Sequence, residues 1–166
     1  STPIKSSAAS DVYKRQELFL ECRAPLSQKS KLDIVTRAVD QVAKKYYGDE
    51  DAQKKMEIKD IICNELEEQG EIKVSELREK VFPGSPEMLE ELDEKLDRYN
   101  LSYETVAPKN EQTIKKFQKQ KLYTDTGIEI TIPMEEYRNP DHVEFITNMD
   151  GTISVLIKNI GMLSSK

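Results

Sequence analysis

The stretch Phe117-Gln118-Lys119-Gln120-Lys121-Leu122-Tyr123-Thr124-Asp125-Thr126-Gly127-Ile128-Glu129-Ile130-Thr131-Ile132-Pro133 decides the fold. Phe117, Lys119 and Lys121 alternate with their neighbours, and so do Ile128, Ile130 and Ile132 with Glu129 and Thr131. Such alternation sends successive side chains to opposite faces of a strand. Between the two runs, Thr124-Asp125-Thr126-Gly127 puts glycine where a hairpin turn needs positive φ. Pro133 cannot donate to a ladder and closes the second run. The pattern recurs downstream. Past Asn139-Pro140-Asp141, Val143, Phe145 and Thr147 alternate with Glu144, Ile146 and Asn148; Asn148-Met149-Asp150-Gly151 turns the chain; Ile153, Val155 and Ile157 alternate with Ser154, Leu156 and Lys158. Residues 108–166 are therefore expected to form a small antiparallel β-meander of three or four strands, more apolar on one face.

Upstream of Pro108 the period is helical. Leu32, Val35, Val39, Val42 and Tyr46 fall on one stripe, which predicts a helix from Lys31 with Ser30 as its cap, Asp33 in a partial capping box and Gly48 at its end. Asp49 is the expected cap of a second helix reaching Gln69, with Met56, Ile62 and Leu66 near one stripe, Ile58 and Ile61 beside it, and Gly70 as its stop. A short third helix after Ser75 turns Leu77, Val81 and Phe82 inward and ends at Pro83-Gly84. Ser85-Pro86-Glu87 is a start signal for a fourth, which buries Leu89, Leu92, Leu96 and Tyr99. Leu18-Phe19-Leu20-Glu21-Cys22 suits a short strand, broken by Pro25 and Ser27. The fold class is α+β: a helical unit of about four helices over residues 17–107, then the antiparallel sheet unit over 108–166. Ser1–Gln16 has neither period nor apolar face and resembles a translated adapter remnant, so it is expected to be a non-native or disordered leader. On that reading native sequence starts near Glu17 and the natural protein continues N-terminally.

Charge narrows the function. The net charge is −6, with 37% hydrophobic and 34% charged residues. Residues 17–107 carry 14 Lys/Arg against 22 Asp/Glu, while residues 108–166 carry 8 of each. An acidic surface opposes polyanion binding, which depends on neutralising phosphates. No apolar run reaches the roughly 18 residues of a membrane span, and the N-terminus lacks a secretory pattern. Cys22 and Cys63 form no CxxC and read as buried reduced thiols.

Phe117–Lys121, Thr124–Ile130, Val143–Asn148 and Asp150–Ile160 together resemble the C-terminal signature of the bacterial nucleoid-associated family named for a protein of roughly 37 kDa. Ser30–Val39 and Asn64–Gly70 are similar to its helical middle. The likeness spans residues 17–166 as whole-segment similarity. It implies a cytoplasmic, nucleoid location and association with nucleic acid, DNA in the first place, and it carries over no catalytic residue. It also implies an N-terminal half of the same protein as a partner, and the acidic helices leave a homo-oligomer open.

The one basic cluster is Lys109, Lys115, Lys116, Lys119 and Lys121, opposed only by Glu111 and interleaved with Phe117 and Tyr123. Lys115, Lys116, Lys119 and Lys121 are the candidate nucleic-acid contacts, able to follow a phosphate backbone without reading sequence. If the strand runs through the whole segment, Lys115, Lys119 and Lys121 share a side with Phe117, and Lys116 lies opposite. The other readings are an edge strand guarded by lysine against sheet-to-sheet pairing, or a protein contact. The helices over 49–69 and 75–98 have the look of a helix-turn-helix, but Pro86–Arg98 carries six acids against Lys95 and Arg98, which would repel phosphate. Asp125-Thr126-Gly127 matches the aspartic-protease triplet yet sits in a turn. His142 stands alone with no nucleophile motif, the glycines cradle no phosphate, and no carboxylate spacing makes a metal loop. The expected role is non-enzymatic, without cofactor or metal. The alternative is a protein–protein assembly module that never touches nucleic acid. Because Leu18–Leu20 would lack a partner strand in a truncated chain, the isolated chain is expected to dimerise or aggregate; light scattering checks this, and a monodisperse monomer would contradict it.

Overall fold

The computed structural model describes residues 25–48 and 51–166. Among them are six α-helices and three antiparallel strand pairs, an α+β architecture. The expected leader and the Leu18–Cys22 strand lie outside the described residues.

Helix α1 (Gln28–Tyr47) starts earlier than its apolar period shows. Its cap is Ser27, whose hydroxyl accepts from the Ser30 amide at 3.1 Å, and not Ser30 itself. The first turn is entirely polar, so the stripe of Leu32, Val35, Val39 and Val42 cannot reveal it; those four are buried as expected. Tyr46 instead stays at the rim and donates its hydroxyl to Glu91 at 2.8 Å. Helix α2 (Ala52–Gln69) is capped by Asp51, which accepts from Lys54 N at 3.0 Å, two residues beyond the expected Asp49. Periodicity cannot choose among the consecutive acids 49–51. Gly70, at φ +72°, takes the left-handed turn that ends α2.

Strand β1 (Ile72–Lys73) leads directly into α3 (Val74–Val81), and α4 (Pro86–Asp97) follows. The start of α3 precedes Ser75 because the Val74 amide is already satisfied by the Glu104 carbonyl at 3.0 Å. In α4, Met88, Leu92 and Leu96 are the buried residues; Leu89 is partly buried and Tyr99, past the helix end, is exposed. The Arg78 guanidinium donates to both Asp93 carboxylate oxygens, at 2.8 and 2.6 Å, and ties α3 to α4. A two-residue ladder that the sequence pattern does not reveal pairs β1 with β2 (Thr105–Val106). Its partners Ile72 and Val106 are both fully buried. They join Leu32, Leu77, Phe82, Leu92, Leu96 and Leu101 in one core.

The second unit comprises α5 (Glu111–Lys115), a 3-10 turn (Lys116–Gln118), β3 (Lys119–Tyr123), β4 (Glu129–Pro133), α6 (Met134–Tyr137), β5 (Val143–Thr147) and β6 (Ile153–Ile157). Both expected hairpins are present, with Lys119 opposite Pro133 in one and Val143 opposite Ile157 in the other. They form two separate ladders and not one meander, because α6 and the Asn139-Pro140 loop intervene between β4 and β5. The Gly127 and Gly151 turns have φ near +90°. Ile132, Met134 and Val143 are buried, while Ile153, Leu156 and Ile157 are exposed. The unit rests on α2. Arg138 donates to Asp60 at 2.5 Å and to Glu67 at 3.0 Å, and Phe117 packs on the helical core. Cys63 is a free, buried thiol whose pKa is pushed up to about 11 by burial and by Glu67.

Leu96 is enclosed on all sides by this core. Leu96→Ala should cost about 2–5 kcal/mol of unfolding free energy, measured by urea denaturation.

Candidate nucleic-acid interface

The segment that carries the candidate lysines is built from three kinds of backbone. Asn110 caps α5 through its side-chain oxygen, which accepts from Gln112 N at 2.8 Å. Lys115 therefore ends a helical turn and Lys116 opens the 3-10 turn. Only Lys119 and Lys121 lie in a strand, which corrects the expectation that Lys115 shares a strand face with them. A five-residue helix is too short to show a period. Within β3, Gln120 is 2% exposed and Lys119, Lys121 and Tyr123 point outward.

Among the described residues, several of the other cations pair with the chain's own acids. Lys31 contacts Glu104 at 2.7 Å, and Arg78 contacts Asp93 and Arg138 contacts Asp60 and Glu67 at the distances above; Lys45 pairs with Glu91 and Lys80 with Glu65. Among the described residues, no carboxylate lies within ion-pair distance of Lys116, Lys119 or Lys121. Lys115 reaches only Glu111, at 3.9 Å in full exposure, a contact worth little in water.

Behind this strip runs a cleft of about 1050 Å³ between α2 on one side and the two hairpins on the other. Lys121 reaches it from β3, and Lys55 and Lys59 reach it from α2; Phe117, Tyr123 and Phe145 also line it. Lys59 is held below the usual lysine range, chiefly by burial and then by the positive charge of Lys121. Asp40 and Asp125 lie at the same cleft. The sequence reading misses Lys55 and Lys59 because residues 51–60 mix three lysines with three acids and show no net charge; only the docking of β3 on α2 brings them beside Lys121.

Thr124, Asp125, Thr126 and Gly127 make a turn closed by Thr124 N to the Ile128 carbonyl at 2.9 Å, with Thr124 and Thr126 hydroxyls 2.9 Å apart. His142 Nδ1 lies 2.5 Å from the Glu136 carboxylate. Among the described residues, no group of three His, Cys, Asp or Glu is placed to hold a metal, and no helix is long and apolar enough to cross a membrane. On α4, Glu87, Glu90 and Glu94 are exposed, so the helix-turn-helix pair presents acid where a DNA reader presents base.

Because the folded pKa of Lys59 is depressed, the unfolded chain binds more protons there. Stability is therefore penalised fully below the folded pKa and recovers as pH rises toward the ordinary lysine value. Lys59→Met should raise the urea midpoint at neutral pH, and the gain should fade above about pH 10; parallel unfolding curves at the two pH values check this.

A family model described as nucleoid-associated protein YejK matches residues 3–162, a span that takes in most of the expected leader. Neither a curated protein nor a solved structure gives a match. With nearly its whole length matched and an α+β fold of helices and paired strands, the chain belongs to the nucleoid-associated protein family.

Proposed function

We propose that the chain acts as a non-enzymatic nucleoid-associated protein that touches nucleic acid directly, through Lys116, Lys119 and Lys121, with Lys115 at the margin of the contact. The observation that carries this reading is that Lys116, Lys119 and Lys121 stand exposed and near one another in sequence with no carboxylate of the described residues in ion-pair distance. An unpaired, exposed ammonium keeps its full Coulombic attraction for phosphate and loses no existing ion pair on binding. The outward face of β3 gives Lys119 and Lys121 one direction, so the contact follows a backbone and leaves base edges unread. The same lysines guard the unpaired edge of β3, and the two roles draw on the same charges. Family membership supports a place at the bacterial chromosome, hence in the cytoplasm and nucleoid.

A second reading has its own observation. Ile153, Leu156 and Ile157 on β6 and Met162 and Leu163 beyond it are exposed, Met162 to 87%. Apolar surface of that extent favours an assembly module that docks a protein partner, a second copy or the N-terminal half of the same protein.

Salt separates the two, since phosphate binding weakens steeply with salt and apolar docking does not. The triple variant Lys116→Glu, Lys119→Glu, Lys121→Glu should weaken duplex DNA binding at low salt by about tenfold or more. It should also flatten the log–log salt slope by roughly two to three units, read by fluorescence anisotropy. Unchanged affinity and slope would remove the strip from the contact and leave the assembly reading.

A further inference from the structure

The cleft behind the lysine strip differs chemically from the strip itself. Three ammonium groups reach it from two elements, Lys55 and Lys59 from α2 and Lys121 from β3, and three aromatic rings stand in its walls, those of Phe117, Tyr123 and Phe145. Lys121 lies close enough to Lys59 for its positive charge to disfavour protonation of Lys59. Such a pair is relieved by an anion placed between them, and Asp40, which feels both Lys55 and Lys59, offsets the effect of Lys121 on Lys59 only in part. Among the rings, Tyr123 is 69% exposed on the same strand face as Lys121, so it presents an open π-face beside a cation. Phe145 is held in place by Tyr137, with ring centroids 5.9 Å apart, and forms a fixed wall.

A duplex offers phosphate to the outer strip, but its bases are stacked and cannot enter a recess. A single strand can turn a base inward and keep its phosphate at the rim. Cations tracking a backbone together with rings that accept bases are what sequence-tolerant single-strand binding requires. Deepening the phosphate-contact reading above, on which it rests, we propose that this cleft takes a splayed segment of single-stranded nucleic acid. Its phosphate is held by Lys55, Lys59 and Lys121, and a base stacks on Tyr123. Deoxyribose and ribose strands share this chemistry.

The test uses the full chain and four labelled probes followed by anisotropy at low salt: oligothymidine and oligouridine of about 12 nucleotides, and DNA and RNA duplexes of matching length. The variants are Lys59→Gln, which changes the cleft alone, Tyr123→Ala, which removes the ring at its mouth and leaves every strip lysine in place, and Lys116→Glu with Lys119→Glu, which changes the outer strip alone. Tyr123 is exposed, so its truncation leaves the core intact, and circular dichroism confirms folding. Each cleft variant should weaken single-strand binding by about tenfold and leave duplex binding within about twofold, whereas the strip variant weakens both. Loss on oligothymidine, oligouridine or both supports the cleft and tells which sugar it accepts. Single-strand affinity unchanged by Tyr123→Ala, or equal losses on single strand and duplex, overturns it. Duplex binding without any single-strand binding sinks the cleft alone, and binding to none of the four probes sinks the phosphate-contact reading together with it.

Discussion

The placement of the whole strand unit turns on one buried amide. Gln120 is closed off from water, yet its Nε2 donates to the Met56 carbonyl of α2 at 2.9 Å and also reaches the Met134 sulfur at 3.5 Å. A buried amide left without a partner costs on the order of 1–3 kcal/mol, so this bond selects one register of β3 against α2. A slip of one residue would bury Lys119 or Lys121 and expose Gln120, exchanging a satisfied amide for an unsolvated charge. The outward direction of the lysines and the meeting of Lys121 with Lys59 both follow from that choice. Arg138, bridging Asp60 and Glu67 on the same helix, adds a second anchor of opposite chemistry.

Much of this was legible in the residues. The hairpins were readable because Gly127 and Gly151 mark turns that only glycine enters easily, and because the isoleucines alternate. The four large helices were readable from their stripes, with errors at ends where polar turns leave no period, as at Ser27 and Asp51. What could not be read is what tertiary contact creates. The β1–β2 ladder is two residues long and joins Ile72 to Val106 across the intervening helices. The helical turn under Lys115 looked like strand because Phe117, Lys119 and Lys121 alternate on either account. Lys59 had no signal of its own, since lysines and acids are mixed around it in α2 and its relation to Lys121 exists only after docking.

The distribution of charge then has a simple logic. Some acids of the helical unit fasten elements to one another, as Asp93 does for α3 and α4 and Glu104 does for α1. The strand unit is neutral in sum but uneven in space, and its unmatched cations gather along β3 and the turn before it. A net charge of −6 thus coexists with a locally positive surface, since the field at short range follows nearby charges more than the sum.

The short ladder between Ile72 and Val106 has a further consequence. It clasps the chain at the point where it enters α3 and the point where it leaves α4, so that helical pair is a loop tied off at its base. Substitutions on the exposed flank of that loop, at Glu87, Glu90 or Glu94, therefore leave the hairpins and the groove beside them in place.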